Sequence, residues 1–321
     1  MPFRPILVAL FAMCVTATAT HAQNYPSRNI TAIIPFAAGN ANDITARIVF
    51  EQLSKQLGQA IVIEGRPGAG GTIGVGQAAR AAPDGYTILF HSATFSASYV
   101  THKTLPYDTL NDFIAVAPVG ISPSVLVAAP SKGYKTAADL IAAAKAKPGE
   151  LNFASAGIGA ASHLAAEKFR VAAGIKAQHI PFKGPVEALA EVMAGRIDFY
   201  FLPIAAALPQ IKEGTVRALA VSSDKRIASL PDIPTTAEIG LPGAAYAFWN
   251  GVFVPSKTPH EIVDKLYKET TKAVAEPVVQ ERMAKMGIQP LTMSQPEFEK
   301  YFKADVLDTA KLAEAAGIEK Q

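Results

Sequence analysis

Short apolar runs alternate with segments of helical period along most of this chain, and that alternation restricts the folds open to it. "ITAII" (30–34) precedes a helix over Ile44–Leu57 whose apolar face is Ile44, Ile48, Val49, Leu53 and Leu57. "AIVIE" (60–64), a glycine-rich turn, the helix-like "TIGVGQAARAA" and "YTILF" (86–90) continue the pattern. Strands that alternate with helices need crossover connections, which predicts an α/β fold with a parallel sheet.

A second unit of the same kind starts at "SVLVAAP" (124–130). It runs through "TAADLIAAAKAK", "LNFASAG", "SHLAAEKFRVAAG", "AQHIPF", "PVEALAEVMAG" and "IDFYFLP" to the strand "VRALAVSS" (216–223). The segment "PDIPTTAEIGLPGA" reads as a linker, and two helices near the C-terminus close the pattern. Two α/β units, each built around a small-residue strand-to-helix turn, suggest two lobes facing each other across a cleft.

The 321 residues, 50% apolar and 18% charged, suffice for a large core. Arg4, the apolar "PILVALFAMCV" and the small-residue "TATATHA" read as a secretory signal peptide over residues 1–22, cut after Ala22. The apolar run is too short to span a bilayer comfortably, and Met13 disfavours lipidation of Cys14. The expected address is the periplasm. Cys14 is the only cysteine and leaves with the signal, so the secreted chain has neither disulfide nor thiol nucleophile. The formal charge of +3 and the scattered Lys and Arg give nucleic-acid binding little support.

The residue types for chemistry are sparse. His91, His102, His163, His179 and His260 show no i, i+3 or i, i+4 pairing, so the sequence predicts no metal site. There is no G-x-S-x-G, and Ser162 and His163 are neighbours whose side chains diverge on a helix. Ser162 reads as a helix N-cap. The glycine loops "GRPGAGGTIG" (65–74) and "SAGIGAAS" (155–162) lack the phosphate and dinucleotide spacings, and no cofactor is expected. Loops 35–43, 65–74 and 154–163 each follow a strand and open a helix. Backbone N–H groups there, aided by the helix dipole, can hold a carboxylate at the crevice end of the sheet. The plainer reading of each loop is a tight turn that glycine permits.

"YPSRNITAIIPFAAGNANDITARI", "GRPGAGGTIG", "AAPDGYTILF", "LNFASAGIGAASHLAAEKF", "PFKGPVEALAEVMAGRIDF" and "FWNGVFVPSKTP" occur in that order. Together they resemble the Bug-type solute-binding proteins, the extracytoplasmic receptors of tripartite tricarboxylate transporters, from about Tyr25 to the C-terminal helices. The resemblance implies a two-lobed, type II periplasmic-binding-protein (Venus-flytrap) fold without enzymatic activity. Lobe 1 would be residues 24–125 plus 222–321, and lobe 2 residues 126–221.

By the same resemblance a small carboxylate is held by Phe36, Gly39, Asn40 and Asp43 of the first loop and by Ser92 and Thr94. Ser155, Ala156, Gly157 and Ser162 would come from the second lobe, with Lys183 and Asp198 reaching the cleft. Structural alternatives stand beside these roles: Asp43 as a helix cap, Lys183 as a solvated rim charge, Asp198 as a loop brace. Asn40 and Gly65 depart from the family pattern, which usually has glycine and asparagine there, so ligand identity cannot be copied. The ligand would be a di- or tricarboxylate or an aromatic acid, with Phe36, Phe95, Tyr99, Phe182 and Trp249 available either to a pocket or to the core. The implied protein is a monomer whose partners are membrane transporter subunits. The alternatives are a sensor that docks on a kinase and, third, a periplasmic hydrolase.

Overall fold

The computed structural model describes residues 25–223 and 225–320; the signal-peptide reading falls outside them. In the first unit β1 (Ile30–Ile34), α1 (Ala41–Leu57), β2 (Ile61–Gly65), α2 (Thr72–Ala79), β3 (Thr87–Ser92) and α3 (Thr94–Thr101) follow one another. β1 pairs in parallel with both β2 and β3. Their continuous apolar runs bury Ile33, Ile34, Leu89 and Phe90 between helices on either face, as parallel strands require.

Next comes β4 (Phe113–Ala128), a single strand of 16 residues. After α4 (Ala137–Ala146), the second unit lays down β5 (Asn152–Ser155), α5 (Ala161–Ala173), β6 (Gln178–Pro181), α6 (Pro185–Met193), β7 (Phe199–Pro203), α7 (Ile204–Lys212) and β8 (Arg217–Ser222). β5 is parallel to β6 and β7. The chain then returns through β9 (Ala247–Pro255), α8 (His260–Ala275), α9 (Pro277–Lys285), the two-residue β10 (Gln289–Pro290) and α10 (Gln295–Ala316). Among the described residues no helix is long and apolar enough to cross a membrane.

The sheet is mixed rather than all parallel, which corrects the sequence expectation. The order β2-β1-β3-β9-β4-β7-β5-β6 joins two parallel triplets through antiparallel β9 and β4. β4 begins eleven residues before the apolar run that marks it in the sequence, because Pro118 and Pro123 mask it. Proline cannot donate to a ladder and is tolerated at irregularities, and the β4–β9 register does shift between Pro118 and Gly120. Pro123 is the last β4 residue paired with β9; from Ser124 the strand pairs with β7 and β8 instead. One continuous strand therefore belongs to both halves of the sheet, and the exchange of partners falls at the residue without an N–H.

The C-terminal segment locks this junction. Trp249, Phe253, Phe298, Phe302 and Phe95 form one aromatic cluster, edge-on or tilted at centroid distances of 5.0 to 6.1 Å. Gly251 in β9 lets α10 approach the sheet: a Cβ there would lie 2.3 Å from Phe298 Cζ and 3.1 Å from the Ala117 carbonyl. Gly251→Ala should destabilise the fold by about 1–3 kcal/mol, the usual cost of overpacking, as measured by urea unfolding. A loss of less than half a kcal/mol would mean that α10 is not held this tightly.

Candidate ligand-binding cleft

The loops after β1, β3, β5 and β7 emerge at one edge of the two parallel triplets, where the strands' carboxyl ends leave a crevice. They surround a cavity of about 240 Å³ with walls from both sheet halves. Phe36, Asn40, Ala41, Asn42 and Thr94 come from the first unit; Ala156, Ser162, Pro185, Tyr200 and Pro203 come from the second. Phe248, from the joining strand β9, lines it as well. No side chain lining this cavity is formally charged.

The first loop is built by its own polar groups. Asn40 is the N-cap of α1, its Oδ1 accepting from the N–H groups of Asn42 (2.8 Å) and Asp43 (3.2 Å), while its Nδ2 donates to the Ala37 carbonyl. Both ends of the amide are thus engaged inside the turn. Asp43 stands one turn into the helix rather than at its cap, and its carboxylate accepts from the Gly39 N–H at 2.8 Å and from Arg47 Nε. Burial pushes the Asp43 carboxyl up, but Arg47 and the Gly39 amide outweigh it and hold the group below its ordinary value. Gly39, with φ +84°, is the residue whose left-handed backbone aims its N–H at that carboxylate.

Behind the cavity wall runs a buried relay. Asn250 Nδ2 donates to Asn42 Oδ1 (2.6 Å), Asn42 Nδ2 to Ser92 Oγ (3.2 Å), and Ser92 Oγ to Thr94 Oγ1 (3.4 Å). Thr94 therefore receives a hydrogen bond from the protein and keeps its own proton for the cavity. Ser92 is wholly buried and acts through Thr94.

The second unit differs. α5 starts at Ala160, which has no side chain able to cap. Ser162 lies inside the helix instead of at its cap, with its Oγ accepting from the Ala156 N–H at 3.0 Å. The N–H groups of Ala161 and Ser162 have no partner among the described residues. Ser155 and Gly157 support this turn from behind: Ser155 Oγ accepts from the Gly157 N–H, donates to the Gly157 carbonyl and lies 2.6 Å from His179 Nε2. The Tyr200 ring is fully buried against the cavity, and among the described residues its hydroxyl makes no hydrogen bond of ordinary geometry. Burial pushes that phenol up to about 12, with the nearby Ser162 hydroxyl pulling slightly the other way.

Among the residues named from the sequence, the structure brings Phe36, Asn40, Thr94, Ala156 and Ser162 to the cavity. Gly39, Asp43, Ser92, Ser155 and Gly157 brace its loops. Two expectations are corrected. Asp198 sits at the opposite end of β7 from Pro203, pairing with Lys132 Nζ at 2.8 Å and accepting the Asn152 N–H at 2.9 Å. Lys183 is exposed and does not line the cavity; its backbone N–H donates to Glu187. Loop 65–74 also lies outside it: Gly74 presses on Pro35, so this loop backs the first one. Phe95 and Trp249 belong to the core. Tyr200 and Phe248 were missed, although a tyrosine inside the apolar run "DFYFLP" is a visible oddity, since its hydroxyl must find a partner or a cavity.

Comparison with known proteins fits this geometry. The model of the family described as tripartite tricarboxylate transporter family receptor matches residues 45–318. This chain belongs to that receptor family. The periplasmic binding protein BugD has 37% identity and superposes with a TM-score of 0.79 over 92% of this chain and 100% of its own. An R. palustris protein solved with adipate has 30% identity and a TM-score of 0.82, again over 92% and 100%. A protein from the tcbD–tcbE intergenic region of Pseudomonas sp. (strain P51) has 37% identity over 88% of this chain and 85% of its own. The family is one of solute-binding receptors with the periplasmic-binding-protein fold.

Beneath the second loop of this receptor His163 and His179 stack at 3.9 Å, a pairing that sequence spacing could not show. Among the described residues no group of three or more His, Cys, Asp or Glu is placed to hold a metal ion. Burial lowers both rings, assisted for His163 by His179 and Arg170, to about 3 for His163 and about 4 for His179; burial alone takes His91 to about 3. These histidines take up protons near pH 6.5 only in the unfolded chain. Unfolding therefore absorbs protons below that pH, so stability is full above 6.5 and falls as the pH drops. The urea midpoint should be flat from pH 8 to 7 and decline between 6.5 and 5. His179→Gln should reduce that slope by up to about 1.4 kcal/mol per pH unit; an unchanged slope would contradict a neutral buried His179.

Proposed function

We propose that this protein is a periplasmic receptor that captures a small carboxylate between two lobes and presents it to the membrane subunits of a tripartite tricarboxylate-type transporter. The observation that carries the reading is the uncapped first turn of α5, whose Ala161 and Ser162 N–H groups are unpaired at a cavity walled by both sheet halves. An N-terminal helix turn with free donors is an anion site by its dipole and its geometry. The adipate held by the R. palustris relative is a carboxylate of the expected class.

In this reading residues 24–125 plus 222–321 form one lobe and 126–221 the other, hinged where β4 changes partners at Pro123–Ser124 and where the chain crosses back between β8 and β9. A ligand that bridges Thr94 on one side and α5 on the other stabilises the closed population by its differential contacts. Residues 1–22 direct export and are cleaved after Ala22. The receptor works as a monomer, performs no reaction on its ligand, and docks with its closed form on the permease.

Binding to the folded state alone must raise stability: a hundredfold excess over Kd contributes about 2.7 kcal/mol. The cognate acid should therefore raise the melting temperature by several degrees, and its amide should not. An equal response to acid and amide would overturn the carboxylate reading.

A further inference from the structure

The two helix starts at the cavity are not equivalent. The first turn of α1 already holds an anion: Asp43 is 4% exposed and bound to the Gly39 N–H, while Asn40 Oδ1 takes the Asn42 and Asp43 N–H groups. The positive end of that dipole is thereby occupied from within the chain. The first turn of α5 contains no acidic residue and no side-chain cap. Between the two lie Phe36, Phe248, Pro185 and Pro203, with no formally charged side chain to receive a second ionised group.

An independent observation points to the same end. Among the described residues the Tyr200 hydroxyl is buried with no hydrogen bond of ordinary geometry, the Ser162 hydroxyl lying near it, a costly state for a polar group unless a ligand supplies the acceptor. Phenol donors bond carboxylates more strongly than neutral acceptors.

We propose that the cavity is selective for a monocarboxylate with an uncharged, largely apolar body. Its carboxylate sits on the Ala161 and Ser162 N–H groups with Tyr200 Oη as an additional donor, and its body lies on Phe36 and Phe248. This rests on the carboxylate-receptor reading and narrows it: at the α1 end an acid with a second ionised group finds one open N–H, that of Ala41, beside the buried Asp43 carboxylate, and no cationic side chain lining the cavity. Tyr200 is then a specificity-determining residue.

The test measures affinity for matched acid pairs of one or two carboxylates, butyrate with succinate, hexanoate with adipate, and benzoate with terephthalate. The best monocarboxylate should bind at least tenfold tighter than its diacid. Tyr200→Phe should weaken that monocarboxylate about tenfold without lowering the melting temperature of the free protein, since the hydroxyl it removes has no partner there. Diacids that bind as tightly as monoacids, or more tightly, would overturn the inference and leave the receptor reading standing. An unchanged affinity in Tyr200→Phe, or a lowered melting temperature of the free variant, would overturn the role of Tyr200. If no acid of either kind binds, both the inference and the carboxylate reading fall.

Discussion

The partner exchange along β4 is the constraint on which the rest of the structure depends. A strand can hydrogen-bond on two edges, and β4 spends its first part on β9 and its last five residues on β7 and β8. The second triplet therefore meets β4 directly and the first reaches it through β9, and the loop-bearing edges of both triplets are brought to one side. Proline at position 123 removes the donor at which the two ladders would compete. The antiparallel partner β9 reinforces the joint, and its Phe248 reaches the cavity while its neighbour Trp249 packs into the core beneath α10.

From that joint follows an asymmetric cleft. Both helix starts that face it have the same backbone donors, yet the local side chains decide what those donors do. At α1, Asn40 takes two of them and Asp43 adds a negative charge, leaving only the Ala41 N–H open among the first three; at α5, Ala160 can take none. The difference is a matter of a few atoms, and it converts two similar turns into one largely closed on itself and one that leaves its first donors open. The buried relay from Asn250 to Thr94 shows the same economy on the first side, orienting one hydroxyl through Asn42, at the cavity wall, and the wholly buried Ser92.

Much of the fold was legible in the residues. The helical period of Ile44–Leu57 and the apolar runs of β1, β3, β5 and β8 correspond to observed elements, because their burial pattern is written locally. β4 and β9 were harder to see. The prolines of the first and the mixed composition of "AFWNGVFVP" conceal strands whose existence depends on each other's hydrogen bonds. Site residues divided along the same line. Phe36, Thr94, Ala156 and Ser162 belong to recognisable loops and do reach the cavity, whereas Asp198 carries an attractive charge that the strand direction places at the wrong end of β7.

The sequence by itself determined which segments become strands and helices and that its glycine-containing turns would open helices, since periodicity and turn chemistry act over a few residues. It also contained the motifs that mark the receptor family. Only the tertiary structure decided that the two turns face one cavity, that Asn42 is tied to Asn250, and that the Tyr200 hydroxyl lies buried near Ser162. Those outcomes depend on where distant side chains stand after packing: Asn250 against Asn42, His179 beneath Ser155, β7 alongside β4. No local pattern encodes such distances, because they arise from the sheet order and the exchange of partners at Pro123.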